Sequence, residues 1–334
     1  MKAIVYTQYG SPDVLQLQEV EKPVPKEDQV LVKVHAASLN AGDLENLRGE
    51  WPARFSGPFR PMHKIPGTDV AGMVEAVGEN VKQFQPGDEV WGDLSFPYGF
   101  GSFAEYVSVS EKALALKPAS MTFEQATTYP HSAVVTLQAL TRPPLGSGSD
   151  FKISFESGNK VLINGAGGGM GTFGVQLAKH FGAEVTGVDR RDKFNLLRSL
   201  GADHVIDYTQ EDYTKTGQRY DLILDVVAHR SVFAYQRALN LEGIFIIVGG
   251  SLGLFIQVAT LGTLISRTGS KKIGINSWEA NKKDDLDLLT ELFEAGKVVP
   301  VIDRRYPLSE AAEAFHYLAG GHAQGKVVIT MEHD

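Results

Sequence analysis

Residues Val161 to Ala183 read VLINGAGGGMGTFGVQLAKHFGA, a short apolar run, a turn built mostly of glycine, and a segment with helical spacing. No other stretch restricts the fold so strongly, because a strand that turns through glycine straight into a helix describes one βα step with an open helix start. Helix N-termini carry unpaired N–H groups and a partial positive charge, and glycine lets an anion approach close enough to use both. In the dinucleotide fingerprint the first glycine makes the tight turn, the second admits pyrophosphate to the backbone, and the third packs helix on strand. The register here is Ala166-x-Gly168-Gly169-x-Gly171, with alanine in the first place and Met170 inside the motif. Met170, Phe173, Gly174, Leu177 and Phe181 then form a helical stripe that Gly182 ends. Asp189 stands 21 positions after Gly168, at the end of the next apolar run, from which a carboxylate accepts a hydrogen bond from a ribose 2′-hydroxyl. A kinase-type phosphate loop is excluded, since no Gly-Lys-Ser or Gly-Lys-Thr follows.

Which dinucleotide binds is posed as a conflict. Asp189 favours NAD(H) and would repel a 2′-phosphate. Arg190, Arg191 and Lys193 follow at once, and such cations are what a 2′-phosphate seeks.

The texture on either side of the glycine turn differs. The first 120 or so residues read as β structure: QVLVKVHAASL alternates Val30, Val32 and Val34 on one face, and DVAGMVEAVG, DEVWGD and FAEYVSVS supply further short strands. From Val161 onward, strands (KVLIN, EVTGVD, HVIDY, DLILDVV, GIFIIVG) alternate with helical segments, the pattern of βαβ units and a parallel sheet. At 334 residues, two domains are expected. RPPLGSGSDFKISFES between the halves reads as an inserted loop. The uncharged stretch from Gly243 to Ile265 is long enough to span a bilayer, but its glycines make it a buried strand, a Gly-Gly-Ser turn and a second apolar element.

The formal net charge of −8 disfavours nucleic acid and anionic membrane as partners, both of which need basic surface. Cysteine is absent, which removes disulfides, thiolate metal sites and cysteine nucleophiles together. The start MKAIVYTQYG carries no basic-then-apolar signal pattern, and a cytoplasmic location is expected.

Taken in order, MKAIVYTQYGSPDVLQL, VLVKVHAASLNAGDLENLRG, IPGTDVAGMVEAVGENV, QPGDEVWG, GSFAEYV, VLINGAGGGMGTFGVQLAK, LGADHVIDY and GKVVI make the chain resemble the medium-chain dehydrogenase/reductase superfamily, within it the zinc-free quinone oxidoreductases. The resemblance spans nearly the whole chain. It implies an α/β protein with a GroES-like β domain over residues 1–124, completed by 301–334, and an inserted Rossmann domain, a doubly wound parallel sheet, over 125–300. It also suggests a homodimer joined through the nucleotide domains.

Zinc enzymes of the superfamily hold their catalytic metal with two cysteines and a histidine. The matching positions here are Asn40, Thr68 and, less securely aligned, Ser132. With those positions replaced and no cysteine in the chain, no metal is expected. Oxidising a simple alcohol means removing a proton from a group with a pKa near that of water, which zinc assists. Hydride addition to a quinone or to the β-carbon of an enone instead leaves a delocalised anion that ordinary donors can stabilise. The expected activity is therefore NAD(P)H-dependent reduction of quinones or α,β-unsaturated carbonyls, with a small-molecule substrate.

By resemblance, Asn40 lies near the nicotinamide and the substrate carbonyl, where its amide can donate, although a side-chain amide also stabilises turns. Thr136 matches a threonine beside the nicotinamide ring, with helix packing as the other reading. Lys193 and Tyr208 match positions that contact the 2′-phosphate in NADPH-using relatives, which favours NADP(H) over NAD(H), with Asp189 against it. Gly249 and Gly250 would permit close approach of cofactor, and Asn276 is a candidate for the nicotinamide end. Trp51, Phe55, Phe59, Phe96, Tyr98 and Phe100 either form a hydrophobic mouth or pin down long loops. Alternatives are an enoyl-thioester reductase of the same superfamily and a low-turnover NADPH-binding protein. A methyltransferase would lack the N-terminal β domain.

Overall fold

The computed structural model describes residues 1–95, 97–147, 153 and 155–332. Phe96 and, within the loop expected over 142–157, residues 148–152 and 154 lie outside the described residues. Strands β1 (Lys2–Val5) and β2 (Gln16–Glu19) pair as an antiparallel ribbon. β3 (Gln29–Leu39) is the long alternating strand, with Val30, Val32 and Val34 fully buried. Helices α1 (Ala41–Arg48) and α2 (Trp51–Ser56) precede β4 (Asp69–Val77), β5 (Glu89–Asp93), β6 (Tyr106–Ser110), β7 (Ala115–Leu116), the short α3 (Phe123–Ala126) and α4 (Ser132–Thr141). The alternating region then runs β8 (Lys160–Asn164), α5 (Gly169–His180), β9 (Glu184–Asp189), α6 (Phe194–Ser199), β10 (His204–Asp207), β11 (Tyr220–Asp225), α7 (Val232–Ala238), β12 (Leu239–Ile247), α8 (Leu252–Gln257), α9 (Thr263–Thr268) and β13 (Lys272–Ile275). The remaining elements are α10 (Lys283–Glu294), β14 (Ile302–Pro307), α11 (Ala311–Ala319) and β15 (Lys326–Thr330).

Two compact units result, Met1–Ser132 with Ala280–Thr290 and Pro300–Asp334, and Ala133–Glu279 with Glu291–Val299. This division carries residues 125–132, 280–290 and 300 into the first unit, beyond the bounds of 1–124 and 301–334 expected from the sequence.

In the first unit a seven-stranded sheet runs β14-β15-β3-β4-β5-β7, with β6 also on β3. The tail strand β15 pairs antiparallel with β3 in the register Val327↔Leu39, which sets Lys326 level with the start of α1. In the second unit six parallel strands are ordered β10-β9-β8-β11-β12-β13. The order reverses between β8 and β11, and at such a switch point open α/β sheets bind their ligands. The glycine turn follows β8 there. Leu162, Val188, Ile223, Phe245 and Ile247 form the core of this sheet. The apolar stretch from Gly243 resolves into the end of β12, a turn and α8, and no helix among the described residues is long and apolar enough to cross a membrane.

Candidate active site

In the second unit the tight turn is made by Gly165, at φ +83°, one residue before the motif. That is why alanine suffices at 166: Ala166 is fully buried, and the N–H groups of both residues donate to the Val188 carbonyl at 3.0 and 3.1 Å. Gly168 caps α5, which begins at Gly169. A Cβ built at Gly171 would stand 2.1 Å from the Gly165 carbonyl oxygen and 2.5 Å from Ala166 Cα, so only hydrogen fits. At Gly168 nothing but the Gly165 carbonyl oxygen, at 3.5 Å, comes within 4 Å of such an atom. The first-turn N–H groups of Gly169, Met170 and Gly171 have no carbonyl one turn earlier in the helix to meet. An uncovered helix start with a cradle that a Cβ would fill fits a diphosphate.

The conflict over the adenosine end has a geometric answer. Asp189 Oδ2 accepts from the Gly167 N–H at 2.8 Å, Oδ1 accepts from the Arg190 N–H at 2.8 Å, and Lys193 Nζ lies 3.4 Å from Oδ1. Lys193 and Asp189 are both buried, and the lysine stem crosses Gly167, where a Cβ would meet Lys193 Cδ at 2.5 Å. The two residues that argue for opposite cofactors therefore offset each other's charge. Arg190 and Arg191 line a shallow depression with Asp192, Asp207 and Thr209, beside which Tyr208 is 45% exposed.

Gly249 and Gly250 are required by the chain itself, because Cβ atoms there would meet the carbonyl oxygens of Val226 at 2.5 Å and Ala228 at 2.7 Å. Asn276 is nearly buried and turns its amide toward the Val135 carbonyl at 3.4 Å. Thr136 is fully buried, its hydroxyl 3.4 Å from the Met170 carbonyl and its methyl against Gly174, the packing arrangement that the sequence also allows.

In the first unit Asn40, Thr68 and Ser132 come together. Asn40 Nδ2 donates to Thr68 Oγ1 at 2.9 Å and to Asp69 Oδ2 at 2.8 Å, while Ser132 Oγ donates to Asn40 Oδ1 at 3.0 Å. Both amide protons of Asn40 are thus committed within the protein. Asn40 also opens α1 in a capping box with Asp43, its backbone N–H donating to Asp43 Oδ2 at 2.9 Å. The ammonium of Lys326 reaches Asn40 Oδ1 at 2.6 Å, Ser132 Oγ at 2.9 Å and Asp69 Oδ2 at 3.2 Å. Asp69, wholly buried, also accepts from Ser38 Oγ at 2.7 Å and from the His131 N–H at 2.9 Å. An ammonium among an amide, two hydroxyls and one carboxylate is no donor set for zinc. Among the described residues no group of three or more His, Asp or Glu side chains is placed to hold a metal ion.

Two ionisable neighbours are displaced from their ordinary values. Burial, with Asp69 adding to it, pushes Asp43 up to about 7, and its Oδ1 has no hydrogen-bond partner. Burial works against the imidazolium of His131, but Asp93, 2.8 Å from Nδ1, and then Asp69 outweigh it and hold that value above the usual histidine range. The aromatic loops are partly free of packing: Phe55 and Phe59 are 79% and 93% exposed, which is not how a ring pins a loop.

Sequence reasoning missed Lys326, Asp69, Asp93 and His131. The signal for Lys326 was a charged first residue in a strand, KVVIT, whose next three residues are fully buried apolar ones. For Asp69 it was the pair Thr68-Asp69 opening β4.

The profile described as "Alcohol dehydrogenase GroES-like domain" matches residues 26–119, and that described as "Zinc-binding dehydrogenase" matches residues 200–329. The chain is 39% identical, over 98% of its own length and 79% of the relative's, to the 2-methylene-furan-3-one reductase of Solanum lycopersicum. It is 37% identical, over the same shares, to the chloroplastic NADPH-dependent alkenal/one oxidoreductase of Arabidopsis thaliana. The solved quinone oxidoreductase from Coxiella burnetii matches with a TM-score of 0.85 at 28% identity, over 99% of both chains.

Proposed function

The chain belongs to the zinc-free, quinone oxidoreductase-like branch of the medium-chain dehydrogenase/reductase superfamily, and from that premise we infer what each polar group of the two units does. The protein is an NAD(P)H-dependent reductase of quinones or α,β-unsaturated carbonyls. The observation that carries this reading is the Lys326 ammonium seated on residues matched to zinc ligands. A polar site without a metal suits an acceptor whose charge delocalises. When bound, the reduced nicotinamide supplies hydride.

The chain's own residues then divide the work. Ala166, Gly168, Gly169, Met170 and Gly171 hold the diphosphate, since the helix start there is open. Lys193 cancels the charge of Asp189, so a 2′-phosphate meets Arg190, Arg191 and Tyr208 with that carboxylate offset, which favours NADP(H) while NAD(H) remains usable. Gly249 and Asn276 serve the nicotinamide end, and Thr136 supports α5 from beneath. Asn40 acts as a positioning residue, because its amide is committed inside the cluster. The proton that completes the reduced product comes from solvent. Exposed Leu252, Ile256 and Leu264 around α8 and α9 support a homodimer formed through the second unit, which light scattering checks. The cytoplasmic placement stands against a relative named as chloroplastic, and cell fractionation decides between them.

The test is loss of reduced-nicotinamide absorbance with a short enone, a quinone, an enoyl thioester and an aldehyde, each with NADPH and NADH. Fastest turnover of the enone or quinone, unchanged by chelator, is expected. A preference for the thioester would favour the enoyl reductase, and no oxidation with any acceptor the binding protein. Stoichiometric zinc required for turnover would overturn the assignment.

A further inference from the structure

We propose that Thr68 is the hydroxyl that donates to the carbonyl oxygen of the acceptor, and that Lys326, acting through Asn40, aims it. The inference rests on the reductase reading above and names the group that polarises the substrate.

The argument follows the direction of each hydrogen bond. An ammonium has three protons and only donates. Lys326 Nζ, on a residue 1% exposed, spends them on Asn40 Oδ1, Ser132 Oγ and Asp69 Oδ2. The atom of Asn40 that faces it is therefore oxygen, which fixes the amide and turns its NH2 toward Thr68 and Asp69. Thr68 Oγ1 consequently accepts from Asn40, and its own proton points away from the cluster. The hydroxyls of Ser132 and Ser38 have their protons committed, to Asn40 Oδ1 and to Asp69 with the Thr127 carbonyl. Among the described residues nothing accepts the Thr68 proton. The whole cluster is nearly shut off from solvent, with Asp69 at 0%, Lys326 and Ser132 at 1%, Thr68 at 4% and Asn40 at 7%. The donor chain runs from a fixed charge through Asn40 and ends on Thr68, and linked hydrogen bonds of one direction polarise each other.

During reduction of an enone, hydride bonds to the β-carbon and the carbon–carbon π pair moves to give an enolate. The Thr68 proton hydrogen-bonds the enolate oxygen without leaving Thr68, and a solvent proton goes to the α-carbon.

Thr68→Val, which deletes the hydroxyl at constant shape, is expected to lower kcat by about a hundredfold, the loss typical of one oxyanion donor, with KM for NADPH unchanged. Thr68→Ser retains most of kcat. Lys326→Met lowers kcat by about tenfold in the wild-type background, as for loss of a group behind the contacting one, and by nothing further in the Thr68→Val background. A readout independent of turnover is the infrared carbonyl stretch of a bound enone in the complex with oxidised cofactor, lower in wild type and Thr68→Ser than in Thr68→Val. Should Lys326→Met not fold, Asn40→Asp asks the same question: it offers Thr68 an acceptor, draws the proton inward and drops kcat to the Thr68→Val level. Wild-type kcat or an unchanged stretch in Thr68→Val, or an equal cost of Lys326→Met in both backgrounds, overturns the proposal. A wild type that reduces neither enone nor quinone defeats the functional reading itself.

Discussion

The two units build polar sites from opposite materials. In the second unit the groups offered to an anion are main-chain N–H groups at the start of α5, and the nearest charged side chains, Asp189 and Lys193, pair with each other. In the first unit the main chain stays in the background and side chains drawn from four separate stretches, Ser38 and Asn40, Thr68 and Asp69, Ser132, and Lys326, make one connected network. A site made of backbone fails when an atom is added, whereas a site made of side chains fails when one is taken away. The first takes its position from strand and helix geometry, and the second from buried hydrogen bonds that leave little latitude.

The largest expected effect tests the additive side of this contrast. Gly171→Ala places a methyl 2.1 Å from the Gly165 carbonyl, and the turn must shift. NADPH affinity, followed by fluorescence titration, should fall by at least about a hundredfold, the cost of roughly an ångström of misplacement. Unchanged binding would mean that the backbone is not what holds the diphosphate. Next comes the charge balance beside the turn. Lys193→Met leaves Asp189 uncompensated and should weaken NADPH by about tenfold relative to NADH, as expected for one charged contact, while adding Asp189→Asn should restore the ratio. Equal losses for both cofactors would show that Lys193 only packs on Gly167.

The smallest effect falls on stability in the first unit. Asp43 sits at about 7 because of burial, above its value in the unfolded chain. The native state therefore keeps a proton that the unfolded state has lost, and stability falls as pH rises from about 4 to about 7. His131, held above its usual range chiefly by Asp93 against the effect of burial, adds a slope of the same sign, its contribution being lost as pH rises past its folded-state value. Urea midpoints at pH 5 and pH 7.5 should differ in wild type and draw together in Asp43→Asn. An unaltered difference would remove Asp43 from the account.

What could be read in advance follows the same contrast. The glycine spacing, the alternation of Val30, Val32 and Val34, and the strand–helix rhythm after Val161 are local patterns, and each became the expected element. The opposition of Asp189 and Lys193 was visible as a contradiction, but not as a contact, because four residues apart across a turn says nothing about which way two side chains point. Asn40 could be carried over as a site residue, yet the direction of its amide depends on Lys326, 286 positions away. That partner becomes a neighbour only once β15 lies along β3, and no period or spacing in the chain announces such a pairing.

The lateness of β15 has a cost during synthesis. Until β15 is made, the first unit holds the Asp69 carboxylate without the ammonium of Lys326, in a place that is dry once closed. A nascent chain in that condition cannot bury Asp69 cheaply. The first unit stays open until the lysine arrives, so a chain interrupted before Lys326 would fail to close as well as to catalyse.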